Sequence, residues 1–137
     1  MPLLRTVSNL IQDLPPLRDV IDTHDLRAKK SLGQNFLLDL NVTDKIARHA
    51  VDINKTTLFE IGPGPGGLTR SLLMAGAKKV IAVEFDDRAV KALQSLKSAS
   101  DQRLDIIHAD ALQTNLKDLC ADEPATIAIR RMQGCLL

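Results

Sequence analysis

The sequence of 137 residues contains no tryptophan and no tyrosine, so its three phenylalanines are the only side chains that could stack on a base. Its two cysteines, Cys120 and Cys135, have no metal-ligand spacing. No stretch approaches the roughly 18 consecutive apolar residues that a membrane span needs, and the first residues lack the apolar core of a signal peptide. These absences argue against a metal site and a membrane protein, and we expect a cytoplasmic chain.

The sequence also lacks an excess of either charge. It has 18 lysines and arginines against 17 acidic residues, so net charge gives no reason to expect a nucleic-acid partner, and any basic surface must be local. Arg27, Lys29 and Lys30 form one such local cluster. With 45% apolar and 26% charged residues, the chain can bury a single core and represents one domain or part of one.

The first 55 residues are predicted to form a helical extension. Apolar residues three and four positions apart predict a helix over residues 3–14, which Pro15 and Pro16 end, and a short second helix over residues 17–26. Residues 31–37 are polar and aperiodic, so they are predicted to form an ordered loop. After this loop Asn41 is expected to cap a helix whose inward face includes Val42 and Ile46.

From residue 56 to residue 137, short apolar runs alternate with helical ones, a pattern typical of a parallel sheet built from βαβ units. The predicted strands are Thr57–Ile61, Lys79–Phe85, Leu104–Ala109 and Ala125–Ile129, and the predicted helices are Leu68–Ala75, Arg88–Lys97 and Thr114–Cys120. The fold class is therefore α/β, with a Rossmann-like sheet flanked by helices. The turns near residues 62, 86 and 110 should share one edge of the sheet, where such sheets bind ligands.

A glycine-rich turn follows the first predicted strand. Gly62, Gly64 and Gly67 fit the dinucleotide fingerprint, whereas Glu60 with Gly62, Gly64 and Gly66 fits the pattern of methyltransferases that use S-adenosylmethionine. A pyrophosphate is held by backbone N–H groups, and Pro63 and Pro65 have none to give. The turn is therefore a poor phosphate cradle, whereas S-adenosylmethionine carries no phosphate.

Three acids, Glu60, Glu84 and Asp110, come at the ends of successive predicted strands. Glu60 could attract the ammonium or sulfonium end of the cofactor, and Glu84 could accept both ribose hydroxyls. Asp110 could accept from the adenine amine. An acid after a strand is also a common helix cap, so Asp110 taken alone is explained equally well that way.

Ser31–Leu37, the glycine turn after Glu60, and the pairs Val83-Glu84 and Ala109-Asp110 together resemble the ribosomal RNA adenine dimethyltransferases. The Gly-Gln-Asn-Phe-Leu element within Ser31–Leu37 favours the branch that modifies small-subunit RNA. The resemblance implies a Rossmann-like domain that transfers methyl groups from S-adenosylmethionine to the N6 amines of two adjacent adenines. It further implies a cytoplasmic monomer that acts on small-subunit (16S) ribosomal RNA or a pre-ribosomal subunit during ribosome biogenesis.

The resemblance also implies roles for individual residues. Those expected to contact the cofactor are Asn35, Leu37, Gly62, Glu84 and Asp110, with Gln34, Glu60 and Gly64 beside them. Without the family, Asn35 and Leu37 are explained equally well as a loop residue and a core residue. Arg27, Lys29 and Lys30 could contact RNA phosphates, or they could form a solvated surface patch.

The chain departs from the family after the fourth predicted strand. There the family has an Asn-Leu-Pro-Tyr motif, whose polar groups orient the target amine and whose ring stacks on the flipped adenine. Here Ala125–Ile129 is followed by Arg130 and Arg131, and the chain has no tyrosine. We therefore expect a truncated relative without catalytic residues or the helical RNA-binding domain, which binds cofactor at best.

Two other functions remain open at the level of sequence. One is an NAD-binding domain of a dehydrogenase, because Glu84 would suit the ribose of NAD, although the two prolines of the turn disfavour it. The other is a non-catalytic module that binds RNA or a protein partner through its basic N-terminal surface and keeps the cofactor fold as a scaffold.

Overall fold

The computed structural model describes residues 6–26, 39–50, 52–115, 118, 126–132 and 135–136, with the backbone alone described for the last two ranges. The predicted loop at residues 31–37 lies outside these ranges, as does most of the helix predicted at Thr114–Cys120. The helices are α1 (Val7–Gln12), α2 (Leu17–Thr23), α3 (Leu40–Arg48), α4 (Gly67–Met74), α5 (Asp87–Ala92) and α6 (Gln94–Ala99). The strands are β1 (Thr57–Ile61), β2 (Lys79–Glu84), β3 (Leu104–His108), β4 (Thr126–Met132) and β5 (Cys135–Leu136).

The five strands form one sheet in the order β3-β2-β1-β4-β5. The first four run parallel, and β5 pairs antiparallel with β4. In the register, Glu60 lies beside Ala82 and Glu84 lies beside His108. The α/β class and the parallel sheet predicted from the sequence are confirmed, and β1 has the predicted bounds.

Strands β1 and β2 form here because their residues pack on both faces of the sheet, as near-continuous apolar runs in parallel sheets do. On one face Leu58, Val80 and Leu104 are fully buried and belong to the main core cluster. On the opposite face Phe59 and Val83 are buried as well. The polar groups of β1 and β2 that could meet a ligand therefore lie at the ends of these strands.

Helices α1, α3 and α4 pack together beside the sheet, since α1 contacts α4 and α6 while α3 contacts α4. Ile11 of α1 and Ala47 of α3 belong to the same core cluster as the strands. The Thr43 hydroxyl lies 2.7 Å from that of Ser71, which donates to Asp44 at 2.6 Å. This polar chain joins α3 to the helix that follows the glycine turn.

The expected cap of α3 was wrong, and its expected inward face was right only in part, because Ile46 packs against the core cluster but Val42 does not. Asp39 caps the helix by accepting from the N–H of Asn41 at 2.9 Å. The buried side chains are Thr43 and Ala47, whereas Val42 is exposed. Thr43 can be buried because Ser71 satisfies its hydroxyl.

The single helix predicted over Arg88–Lys97 is two short helices, α5 and α6, separated at Leu93. Leu93 has a ψ of −10°, flatter than in a regular α-helix. The Leu93 N–H still donates to Ala89, and the Leu93 carbonyl still accepts from Lys97. Leu93 is fully buried, so the break keeps its side chain in the core while α6 continues across the sheet.

No helix in the part of the chain that the structure describes has the length and apolar character needed to cross a membrane. Among the same residues, no cluster of histidine, cysteine and carboxylate side chains could hold a metal ion. His108 instead lies with Nε2 3.0 Å from the carbonyl oxygen of Phe85.

Candidate functional site

The turns that follow β1, β2 and β3 lie at one edge of the sheet, because these strands are parallel and adjacent. Strand β1 has β2 on one side and β4 on the other, so the strand order reverses direction at β1. Open parallel sheets bind ligands at such a reversal, outside the carboxyl ends of the strands. The glycine turn after β1 stands at that position.

The glycine turn uses its own backbone donors inside the protein. The N–H of Gly62 donates to the Val83 carbonyl at 2.9 Å, and that of Gly66 donates to the Pro63 carbonyl at 3.0 Å. The N–H of Gly64 donates to Glu84 Oε2 at 3.0 Å. Since the two prolines between these glycines have no N–H, residues 62–66 offer no backbone donor to a pyrophosphate.

The conformation of this turn requires glycine. Gly62, Gly64 and Gly66 have φ values of +69°, +56° and +94°, in the region that L side chains rarely adopt. Gly66 is the N-cap of α4. The turn therefore bends sharply out of the sheet and brings its backbone close to Glu84.

Glu60 lies deeper than the other acids, with a relative exposure of 2%. Its Oε2 accepts from the hydroxyl of Thr69 at 2.6 Å, which joins the end of β1 to the first turn of α4. A carboxylate at this depth can act on a bound cation mainly through its charge, which is felt strongly in a poorly solvated site. The sequence pattern singled out Glu60 but not its partner Thr69.

Glu84 ends β2 with a relative exposure of 8%. Its Oε2 accepts from Gly64, and its Oε1 accepts from the N–H of Asp86 at 3.0 Å. A carboxylate has about four acceptor positions, so these two bonds leave about two. That remainder matches the two hydroxyls of a ribose.

Asp110 follows β3 and is half-buried. Its Oδ1 accepts from the N–H of Leu112 at 2.9 Å, which closes a turn over residues 110–114 and does not cap a helix. No hydrogen bond to Oδ2 is present among the described residues. Asp110 can thus hold its own turn and still accept from a ligand.

Two large apolar side chains beside these acids are exposed to solvent. Phe85, directly after Glu84, is 71% exposed, and Leu112, two residues after Asp110, is 79% exposed. Both follow strands that end at the ligand edge of the sheet, where a planar base needs apolar surfaces. The sequence drew attention to Phe85 as one of three phenylalanines, but it gave no signal for Leu112.

Two arginines near the turns have altered acidity. A side-chain hydrogen bond from Arg88 holds the pKa of Asp86 below its ordinary value, and the same bond raises the pKa of Arg88. Burial lowers the pKa of Arg70, whose Nη2 donates to the Pro15 carbonyl at 2.8 Å. Arg70 therefore fixes the segment between α1 and α2 onto α4.

The structure brings together five residues predicted for the site, which are Glu60, Gly62, Gly64, Glu84 and Asp110. The other predicted residues lie outside the described ranges, and they are Gln34, Asn35, Leu37, Arg27, Lys29 and Lys30. At the carboxyl end of β4, the backbone pairs Arg130 with Ile61. Arg130 and Arg131 thus continue β4 beside the glycine turn, within the stretch where the resemblance expects its polar and aromatic motif.

A family model described as ribosomal RNA adenine dimethylase matches residues 25–132. Ribosomal RNA small subunit methyltransferase A from Allorhizobium ampelinum is 56% identical over 117 residues, which cover 85% of the chain and 42% of that protein. Its counterpart from Afipia carboxidovorans is 56% identical over 134 residues, covering 92% of the chain and 48% of that protein. The chain thus spans less than half the length of these curated relatives.

Solved structures share the fold. The 23S rRNA methyltransferase ErmE superposes with a TM-score of 0.55 at 25% identity, covering 72% of this chain and 49% of that one. A putative RNA methyltransferase from Pyrococcus horikoshii superposes with a TM-score of 0.58 at 19% identity, covering 93% of this chain and 72% of that one. The second likeness concerns the fold alone.

Proposed function

The chain belongs to the ribosomal RNA adenine dimethylase family, and on that premise we propose that its glycine turn and neighbouring acids bind S-adenosylmethionine. The observation that carries the proposal is the use of every backbone N–H of residues 62–66 inside the protein. A ligand with a pyrophosphate finds no donors there, which disfavours NAD. A ligand with a ribose, an adenine and a cationic amino-acid end meets acceptors and apolar surface instead.

Each part of the cofactor has a matching group. Glu84 accepts the two ribose hydroxyls with the acceptor positions that Gly64 and Asp86 leave open. Phe85 and Leu112 would offer apolar surface to the adenine, and Asp110 would accept from its amine. The buried charge of Glu60 favours the cationic end.

The bound cofactor would supply an electrophilic methyl group on its sulfonium. The substrate we propose for the family fold is adenine in small-subunit ribosomal RNA, methylated twice at each of two adjacent N6 amines. Gln34, Asn35 and Leu37 complete the cofactor site in this proposal, and Arg27, Lys29 and Lys30 contact RNA phosphates. A cytoplasmic, monomeric protein that meets small-subunit RNA or a pre-ribosomal subunit is part of the same proposal.

For this chain we propose cofactor binding without methyl transfer. The target amine of a flipped adenine needs polar acceptors to orient it and an aromatic surface to hold it. Here the strand beside the glycine turn continues into Arg130 and Arg131, and the chain has no tyrosine.

Calorimetric titration with S-adenosylhomocysteine tests the proposed site, because this product carries the same ribose, adenine and amino-acid end. We expect binding by the 137-residue chain and a loss of about 10- to 100-fold on Glu84→Ala, since hydrogen bonds to a charged group contribute about 1.5–3 kcal/mol. Asp105→Ala is the matched control. Asp105 is an acid on the neighbouring strand that pairs with Lys79 at 2.8 Å, away from the ligand edge.

The same titration separates the alternatives. Binding of NADH in preference to S-adenosylhomocysteine would refute the proposal and favour a dehydrogenase domain. Binding of small-subunit RNA that neither S-adenosylhomocysteine nor Glu84→Ala alters, with no binding of S-adenosylhomocysteine itself, would favour the non-catalytic module.

A further inference from the structure

A continuous series of hydrogen bonds leads away from Glu84 on the side opposite the glycine turn. The first link is the N–H of Asp86, which donates to Glu84 Oε1 at 3.0 Å. The other oxygen of Glu84 accepts from Gly64. The orientation of this carboxylate is therefore set from two sides, by the glycine turn and by the turn that follows β2.

Asp86 is held in turn by Arg88. One carboxylate oxygen accepts from the N–H and Nε of Arg88 at 2.9 and 3.1 Å, and the other accepts from Nη2 at 2.6 Å. Two guanidinium nitrogens on two carboxylate oxygens form a bidentate pair, which fixes direction as well as distance. Arg88 thus restrains the residue whose N–H holds Glu84.

Arg88 has a further donor, and it reaches the N-terminal extension. Its Nη1 donates to the carbonyl of Asp25 at 2.8 Å. Asp25 has a φ of +52°, and the next residue, Leu26, is buried against Ala89 and Ala92 of α5. The chain thus meets α5 through both packing and a charged hydrogen bond, immediately before residue 27.

We propose that Arg88 is a positioning residue of the cofactor site, acting through Asp86 on the ribose acceptor Glu84 while anchoring the end of the N-terminal extension at Asp25. This inference rests on the proposed function of the site. Within the described residues, the hydrogen bonds of Arg88 go to Asp86 and Asp25 and none goes to Glu84. Its effect on affinity is therefore indirect and depends on Glu84.

Arg103 provides a matched control for a purely structural arginine. Its Nε donates to the Ala77 carbonyl at 2.8 Å, and its Nη2 donates to the Leu73 carbonyl at 2.9 Å. Arg103 precedes β3, at the end of the sheet opposite the ligand edge. Like Arg88, it joins separate elements by donating to backbone carbonyls, but no series of bonds leads from it to Glu84.

The test is a double-mutant cycle on the 137-residue chain, with S-adenosylhomocysteine affinity measured by calorimetry for wild type, Glu84→Gln, Arg88→Ala and the double variant. We expect Arg88→Ala to weaken binding about 5- to 10-fold in the wild-type background and less than about 2-fold in the Glu84→Gln background, because coupled neighbours are not additive. Arg103→Ala should lower thermal stability and leave affinity unchanged. If Arg88→Ala does not fold, Arg88→Lys replaces it in the cycle, since a lysine keeps the charge and loses the bidentate geometry.

The outcomes separate this inference from the function on which it rests. The positioning role is wrong if the Arg88 variant binds S-adenosylhomocysteine as tightly as wild type does. It is also wrong if the substitution weakens binding equally in the wild-type and Glu84→Gln backgrounds. A wild-type chain that does not bind S-adenosylhomocysteine overturns the proposed function and the positioning role together. A loss of affinity that occurs only in the background that retains Glu84 supports both the proposed function and the positioning role of Arg88.

Discussion

At the level of single residues, Glu84 has a structural as well as a proposed ligand-binding role. It accepts from the backbone of Gly64, 20 residues earlier in the chain, so the acid at the end of β2 holds the turn at the end of β1. A ribose acceptor that also orders the glycine turn makes the two parts of the site interdependent. A substitution at Glu84 should therefore loosen the glycine turn as well as weaken the proposed binding of the ribose.

Gly66 leaves little space for a side chain. A Cβ there would lie 2.8 Å from Leu93 Cδ2 and 3.3 Å from Leu96 Cδ2, and both leucines are buried. We expect Gly66→Ala to lower the free energy of unfolding by about 1–2 kcal/mol through its positive φ and by about 1–3 kcal/mol more through overpacking. Urea denaturation at neutral pH measures the sum.

Gly76→Ala separates the two contributions. Gly76 follows α4 with a φ of +97°, close to the +94° of Gly66, but no atom lies within 4 Å of a Cβ built there. Gly76→Ala should therefore lower the free energy of unfolding only by the part that comes from backbone strain. If both variants lost the same free energy of unfolding, the contact of the new Cβ with the two leucines would not contribute to the loss in Gly66→Ala.

Residue identities drew attention to the acids and glycines of the candidate site because repeated glycines and an acid directly after an apolar strand are typical of a ligand-binding turn; their role in binding stays a prediction. They did not predict Thr69 or Leu112, since a threonine in a helix and a leucine after an acid are ordinary in any domain. The bond from Thr69 to Glu60 and the exposure of Leu112 depend on the tertiary fold. Exposed apolar side chains at a site become recognisable only once the sheet edge is known.

At the level of elements, the apolar runs predicted the position and parallel direction of the first three strands, because buried parallel strands are continuous apolar runs. The same reasoning failed for the cap of α3 and for part of its inward face, since Val42 is exposed. Thr43 is buried through a hydroxyl partner on α4, which no local pattern reveals. The expected helix from Arg88 to Lys97 divides at Leu93 for a similar reason, since the core fixes the position of that side chain.

The start of α5 gives a pH-dependent prediction. Asp86 caps this helix, and the side-chain hydrogen bond from Arg88 lowers the pKa of Asp86 in the folded state. A lowered folded-state pKa means a contribution to stability that is complete above the unfolded value of about 3.9 and is lost as the pH falls through the folded value. The stability difference between wild type and Arg88→Ala should therefore be constant from about pH 7 to pH 5 and shrink below about pH 4.

Urea midpoints at several pH values across that range would measure the difference. Arg103→Ala serves as the comparison, because Arg103 donates to carbonyl oxygens, which do not titrate. A difference between wild type and Arg88→Ala that stayed constant down to about pH 3, or grew, would show that the pair with Asp86 does not stabilise the folded state.

At the level of the whole molecule, the sheet reverses direction at β1, and this places the glycine turn between the carboxyl ends of β2 and β4. The side toward β2 carries Glu84 and Phe85, which suit a nucleoside. In the proposed function the methyl acceptor would lie on the side toward β4. Cofactor binding and methyl transfer would then depend on different strands, so a chain could keep the first without the second.

This separation predicts binding without catalysis. The 137-residue chain, incubated with tritium-labelled S-adenosylmethionine and small ribosomal subunits that lack the adenine methylation, should transfer no label above a blank without protein. The same preparation should bind S-adenosylhomocysteine, and at about 100 times the dissociation constant this ligand should add about 2.7 kcal/mol to the free energy of unfolding. The Allorhizobium ampelinum relative, 56% identical over 117 residues, is the positive control for transfer. Label in the RNA with this chain alone would mean that Arg130 and its neighbours on β4 can replace the aromatic motif, and the proposed loss of catalysis would then be wrong.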